Sequence, residues 1–156
     1  MSSALQQELR QRRPFQTAAH EAIVGLMRTA DLIRRQAAAV IEPHGITLQQ
    51  FNVMRILRGA GEAGLPTLDV AERMIEQTPG VTRLLDRLEA KELVRRQRCP
   101  KDRRQHLCWI TAKGLALLEK IDAVTSAAHE DSLKGLRHKD RVAFIRLLDA
   151  IRAAHQ

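Results

Sequence analysis

Seven of the fourteen residues from Lys91 to Arg104, KELVRRQRCPKDRR, are lysine or arginine and two are acidic, a net charge of +5. The run follows an amphipathic helical pattern and precedes a short strand-like segment, HLCWIT. Cations gathered at the tip of a hairpin beside a short helix are suited to gripping the phosphates that flank a DNA groove. Within the preceding helix, Arg83 falls roughly opposite the centre of the apolar stripe Val81, Leu84, Leu85 and Leu88, flanked by Pro79, Asp86 and Arg87.

The whole chain of 156 residues has a net charge of +8. Residues 45–112 hold twelve basic and eight acidic groups, so the excess gathers in the middle third. The length suits one domain, or one small domain with added helices. No apolar run approaches the roughly 20 residues that cross a bilayer. The start, MSSALQQELRQRRPF, lacks the apolar core and small-residue cleavage site of an export signal. Cys99 and Cys108 form neither a metal-ligand spacing nor a disulfide framework. A reducing cytoplasm is the economical reading.

Several elements must position these cations. Residues 15–41 repeat apolar groups at helical spacing until Pro43 and Gly45 stop them, after a polar arm expected to be loose. Thr47 and Gln50 form the T-x-x-Q capping box of a second helix, with Ile46 and Phe51 placed as its hydrophobic staple. A third helix is expected from about Thr67 to Ile75, with Leu68, Ala71 and Met74 or Ile75 inward. Thr78 as cap and Pro79 at the first helical position open the fourth, in a register uncertain by one residue. Residues 93–99 and 106–111 then pair as a hairpin, and two further helices occupy 112–134 and 138–154. In the last, Ala143, Phe144, Leu147, Leu148 and Ile151 form a wide stripe that Val142 and Ile145 leave. A terminal helix that is apolar on several sides needs more than one partner surface, which points to a dimer built from both chain ends.

This order of elements is a winged helix-turn-helix, mainly α with a small β-hairpin wing and six helices. At ITLQQFNVMRIL, TRLLDRLEAKELVRR, PKDRRQHLCWIT and AKGLALLEKI the chain resembles the MarR family of bacterial transcriptional regulators, from about residue 15 to 154. The wing's D-x-R, Asp102 and Arg104, within a pattern that ends at Thr111, is its most specific element. The resemblance implies a homodimer on a pseudo-palindromic operator in double-stranded DNA, with half-sites about one helical turn apart. It implies repression by operator occupancy in preference to activation, release by a small aromatic or lipophilic effector, and no cofactor. It divides the chain into an arm (1–14), a dimerisation helix (15–45), the DNA-binding domain (46–112) and C-terminal dimerisation helices (113–156). Thr78, Gly80, Thr82, Arg83 and Arg87 fall to the groove-facing helix, and Lys101, Asp102, Arg103 and Arg104 to the wing. Arg87 either touches DNA or pairs with a carboxylate to brace the wing. Asp102 is expected to hold the Arg104 guanidinium in a charge-assisted pair aimed at the minor groove. Arg95, Arg96 and Lys91 are expected to add to the cationic field. Ile23, Met27, His44, Met54 and Arg58 are placed near an effector crevice, although core packing explains Ile23, Met27 and Met54 as well. Phe15, Phe144, Leu147, Leu148 and Ile151 are assigned to dimerisation.

Rival readings rest on fewer residues. A redox regulator would use Cys99 and Cys108, which an approximate hairpin register makes diagonal neighbours. A metal-responsive regulator would draw on Glu42, His44, His129 and His138, without a paired H-x-x-x-H on the fifth helix. An enzyme is disfavoured, since no Ser-His-Asp spacing, phosphate loop or close carboxylate pair occurs and His20, His106 and His155 stand apart. A protein-interaction module that uses the helix-turn-helix as scaffold would fail to shift its own upstream DNA in a gel. Trp109, the only tryptophan, is expected to pack on the helical core and not to serve as a stacking platform.

Overall fold

The computed structural model describes residues 3–77, 79–102 and 104–155. Among them are seven α-helices, two short 3-10 turns and one three-stranded antiparallel sheet. The chain forms two compact units, residues 1–37 and 38–156.

In the first unit, Ser3 caps a short helix, α1 (Ala4–Glu8), by accepting a hydrogen bond from the Gln6 amide at 3.2 Å. This is the helix beyond the six expected, in an arm expected to be loose. Glu8 pairs with Arg28 at 2.9 Å, and Leu5 lies close over Gly25, so the arm has partners that its polar composition conceals. The long helix α2 (Ala18–Ile41) begins where Thr17 accepts from the His20 amide at 3.1 Å. Phe15 therefore precedes the helix and meets the His20 ring edge-on at 5.3 Å.

The second unit holds the rest. A 3-10 turn through Pro43 ends at Gly45, whose φ of 81° reverses the chain. Both bonds of the capping box then form at the start of α3 (Leu48–Ala60): Thr47 Oγ1 accepts from the Gln50 amide, and Gln50 Oε1 from the Thr47 amide. Ile46 and Phe51 are buried on either side of the cap. α3 buries Val53, Met54 and Leu57 completely and forms the centre of the core.

β1 (Leu65–Pro66) leads directly into α4 (Thr67–Glu72), followed by α5 (Val81–Ala90). The hairpin β2 (Val94–Arg98) and β3 (His106–Ile110) completes the sheet in the order β1-β3-β2. α6 (Ala112–Ser132) and α7 (His138–Ala153) close the chain. β1 was not expected; two residues carry no detectable alternation, and only pairing with β3 defines them.

α4 corrects the expected inward face. Leu68 is 71% exposed and Ile75 85%, while Val70 and Met74 are buried. A six-residue helix fits more than one apolar phase, and the start pinned by Pro66 against β3 selects the one that turns Val70 inward. α5 begins at Val81 and not at Pro79, because Gly80 takes a left-handed φ of 103° at the cap. Thr78 lies outside the described residues.

Gly114, near the start of α6, is where packing opposes propensity. Alanine is ordinarily favoured over glycine in a helix by up to about 1 kcal/mol. A Cβ here would lie 2.3 Å from the Leu93 carbonyl oxygen and 2.7 Å from Ile110 Cγ1. Gly114→Ala is expected to destabilise the protein by about 1–3 kcal/mol in urea unfolding. An unchanged or raised midpoint would show that the helix and hairpin are not closely packed at this point.

Candidate nucleic-acid interface

Burial of Val81, Leu85 and Leu88 sets the rotation of α5 and leaves Thr82, Arg83, Asp86 and Arg87 exposed, with Gly80 open at the helix start. Arg87 borders a cleft of about 500 Å³ with Lys91, Gly45, Ile46 and Thr47. The Lys91 ammonium donates to the Gly45 carbonyl and so ties the end of α5 to the turn before α3.

The wing tip is shaped by Asp102, in a way that differs from expectation. Its Oδ1 accepts from the backbone amide of Arg104 at 2.9 Å, and its carbonyl accepts from the Gln105 amide at 3.0 Å. No ion pair joins its carboxylate to the Arg104 guanidinium among the described residues. A short acidic side chain reaches an amide two residues on more readily than a flexible side-chain end, which is the local geometry of an Asx turn. Lys101 and Arg104 are exposed, and Arg103 lies outside the described residues.

The root of the wing is fastened differently. Arg95 stacks on Trp109 with its guanidinium carbon 4.1 Å from the ring centroid. Trp109 Nε1 donates to the Glu62 carbonyl at 2.9 Å. Its indole lies so close to Gly64 that a Cβ there would sit 2.5 Å away, and Gly64 has a φ of 68°. Trp109 is thus a packing residue, set on the loop before β1. Arg96 was expected to add to the cationic field, but it is engaged by both carboxylates of α5, Asp86 at 2.5 Å and Glu89 at 2.7 Å. Burial works to lower its pKa, but these two acids outweigh it and raise the value overall. The carboxylate-paired brace considered for Arg87 is therefore made by Arg96. The signal was present in sequence: Asp86 and Glu89 stand one turn apart on the polar face, one tight turn before β2.

The remaining candidates differ in burial and partners. On α2, Ile23 and Met27 are exposed; in the second unit, His44 is half-buried and Met54 is sealed in the core. Arg58 is held by Asp122 of α6 at 2.5 Å. Phe144 and Leu148 are half-buried, Leu147 and Ile151 exposed, and α7 has no buried residue. Glu42, His129 and His138 are exposed, and no group of three metal-ligating side chains occurs among the described residues. The cysteine geometry also departs from expectation. Cys108 stands opposite Arg96 in the hairpin and Cys99 bonds across to Gln105, so the two are offset by three positions and are not diagonal neighbours. Burial pushes the Cys108 thiol pKa up, against smaller opposing effects of Thr67 and Arg96. No helix among the described residues is long and apolar enough to cross a membrane.

A helix-turn-helix followed by a sheet-anchored wing defines a winged-helix DNA-binding protein. Residues 46–106 match the model of the MarR family. A MarR transcription factor of Planctomyces limnophilus is 32% identical, covering 87% of this chain and 98% of its own, with a TM-score of 0.68. This chain belongs to the MarR family of transcriptional regulators. It is also similar to BpsR of Bordetella bronchiseptica, at 27% identity over 85% of this chain and 98% of that one, with a TM-score of 0.75. That structure concerns regulation of BpsR's DNA binding by 6-hydroxynicotinic acid. The transcriptional regulator MhqR of Bacillus subtilis is 33% identical over 52% of this chain, a match that spans about half (54%) of MhqR's length.

The buried, proton-retaining Cys108 makes a thiol prediction. In native protein a disulfide reagent is expected to modify Cys99 readily and Cys108 only after denaturation. Folding raises the Cys108 pKa, so its contribution to stability is complete below the ordinary thiol range and declines as pH rises through the folded value. Rapid reaction of both thiols in the native state would contradict this placement.

Proposed function

We propose that this chain is a cytoplasmic, homodimeric repressor that reads a pseudo-palindromic operator and is released by a small aromatic or lipophilic effector. The observation that carries the DNA reading is the pairing of α5, its Thr82 and Arg83 exposed, with a wing whose tip offers Lys101 and Arg104 to solvent. Helix and wing belong to one compact unit. In this reading α5 lies in the major groove, where Arg83 contacts guanine or a phosphate, and Arg104 reaches the adjacent minor groove. The Asx turn at Asp102 supports it by fixing the backbone from which Arg104 projects.

The apolar surface of the chain ends supports the dimer. Ile145 and Leu147 of α7 are 58% and 63% exposed, and Ile151 and Val142 are exposed beside them. Apolar area of this extent costs about 25 cal/mol per Å² when left in water. A second copy that covers α7 removes that cost and sets the spacing of two recognition helices. The effector reading is supported by the relative whose DNA binding is regulated by 6-hydroxynicotinic acid. A small acid that favours one separation of the two helices would couple the sites.

Titration of operator binding against salt tests the wing: Arg104→Ala should weaken binding and flatten the log–log slope by about one. Arg83→Ala should cost about 1–3 kcal/mol if it reads a base, with relaxed preference at one position. An unaltered slope and affinity in both variants would remove α5 and the wing from DNA recognition. Sedimentation equilibrium should find a dimer, and Leu147→Asp should shift the mass towards the monomer; a monomeric wild type would sink the symmetric operator.

A further inference from the structure

Arg96 differs from the other wing cations. Its side chain is only 18% exposed, whereas Lys101 and Arg104 are open to solvent. Glu89 accepts from the Arg96 backbone amide at 3.2 Å through one oxygen, and from Nε at 3.0 Å and Nη2 at 2.7 Å through the other. Asp86, one turn earlier on α5, accepts from Nη2 at 2.5 Å. Four hydrogen bonds, three of them between opposite charges, thus join the middle of β2 to the polar face of α5. The same contacts offset part of the negative charge of two carboxylates that would otherwise repel phosphate more strongly from that face.

We propose that Arg96 is a positioning residue for DNA recognition: it locks the wing to α5 at one angle, so that helix and tip engage neighbouring grooves together, and it makes no phosphate contact of its own. The proposal rests on the reading of α5 and the wing as the DNA face. A planar guanidinium bound by two carboxylates resists both rotation and sliding of the hairpin, which a lysine in its place would not. Sequence-specific binding needs helix and tip placed together. Attachment to arbitrary duplex needs only the charge, so the lock should matter to the first and little to the second.

The test compares wild type with Arg96→Ala, Arg96→Lys and Glu89→Gln on two duplexes across a salt series. One duplex is selected by the wild-type protein from a random pool, and the other is a scramble of it. All three variants are expected to lose about tenfold or more on the selected duplex, the scale of a lost base contact. Affinity for the scramble should stay within about twofold. Glu89→Gln removes a negative charge, so a direct phosphate role for Arg96 predicts tighter binding to both duplexes. That result, or rescue by Arg96→Lys, or equal losses on both duplexes, overturns the proposal. If thermal melts show Arg96→Ala unfolded, the isosteric Glu89→Gln decides alone. A wild-type preference sensitive to Arg83→Ala and Arg104→Ala but not to Arg96 or Glu89 variants sinks the lock while sparing the DNA face. No wild-type preference at all sinks the DNA face itself.

Discussion

Leu85 and Leu88 of α5 are fully buried, as are Val53, Met54 and Leu57 of the α3 helix against which α5 packs. Each such side chain contributes about 1.5–3 kcal/mol on burial, whereas an exposed ion pair contributes about 0–1 kcal/mol. The apolar stripe therefore decides the rotation of α5, and no surface charge can overrule it. Thr82, Arg83, Asp86 and Arg87 face outward as a consequence. The same packing defines where β2 begins, because the Leu93 amide bonds to the Leu88 carbonyl at 3.0 Å directly after the helix.

A two-stranded hairpin is marginal in water by itself. This one is secured at its root from three sides: β1 adds a third strand, Trp109 bonds to Glu62 and covers Gly64, and Thr111 donates to the Glu92 carbonyl at 2.7 Å. Cys108, in the middle of β3, is wholly buried. Among the described residues the tip has none of these supports and is organised locally by Asp102. The wing is thus anchored where it meets the core and exposed where it ends.

Arginines of one sequence run take three physical roles. Arg95 covers an indole face, Arg96 is shared between two carboxylates, and Arg104 is exposed, with its backbone amide bonded to Asp102. Charge counting treats them as equal contributors to a field. Burial and partners separate them: two carboxylates take up the charge of half-buried Arg96, whereas Arg95 and Arg104 stay exposed.

Patterns that act over a few residues were readable in the chain itself. The capping box at Thr47 and Gln50, the stripe of α5, and the hairpin around PKDRRQ all depend on neighbours within about one or two turns, so their residue types specify them. The family followed from the same stretches. Tertiary structure decided what depends on residues far apart in the chain: β1 exists only through β3, and the phase of α4 follows from its anchored start. It also exposed Leu68 and Ile75, and buried Met54 and Cys108 beyond reach of solvent. Local propensity is written in local sequence, but which of several compatible faces is covered is settled by the packing of distant segments.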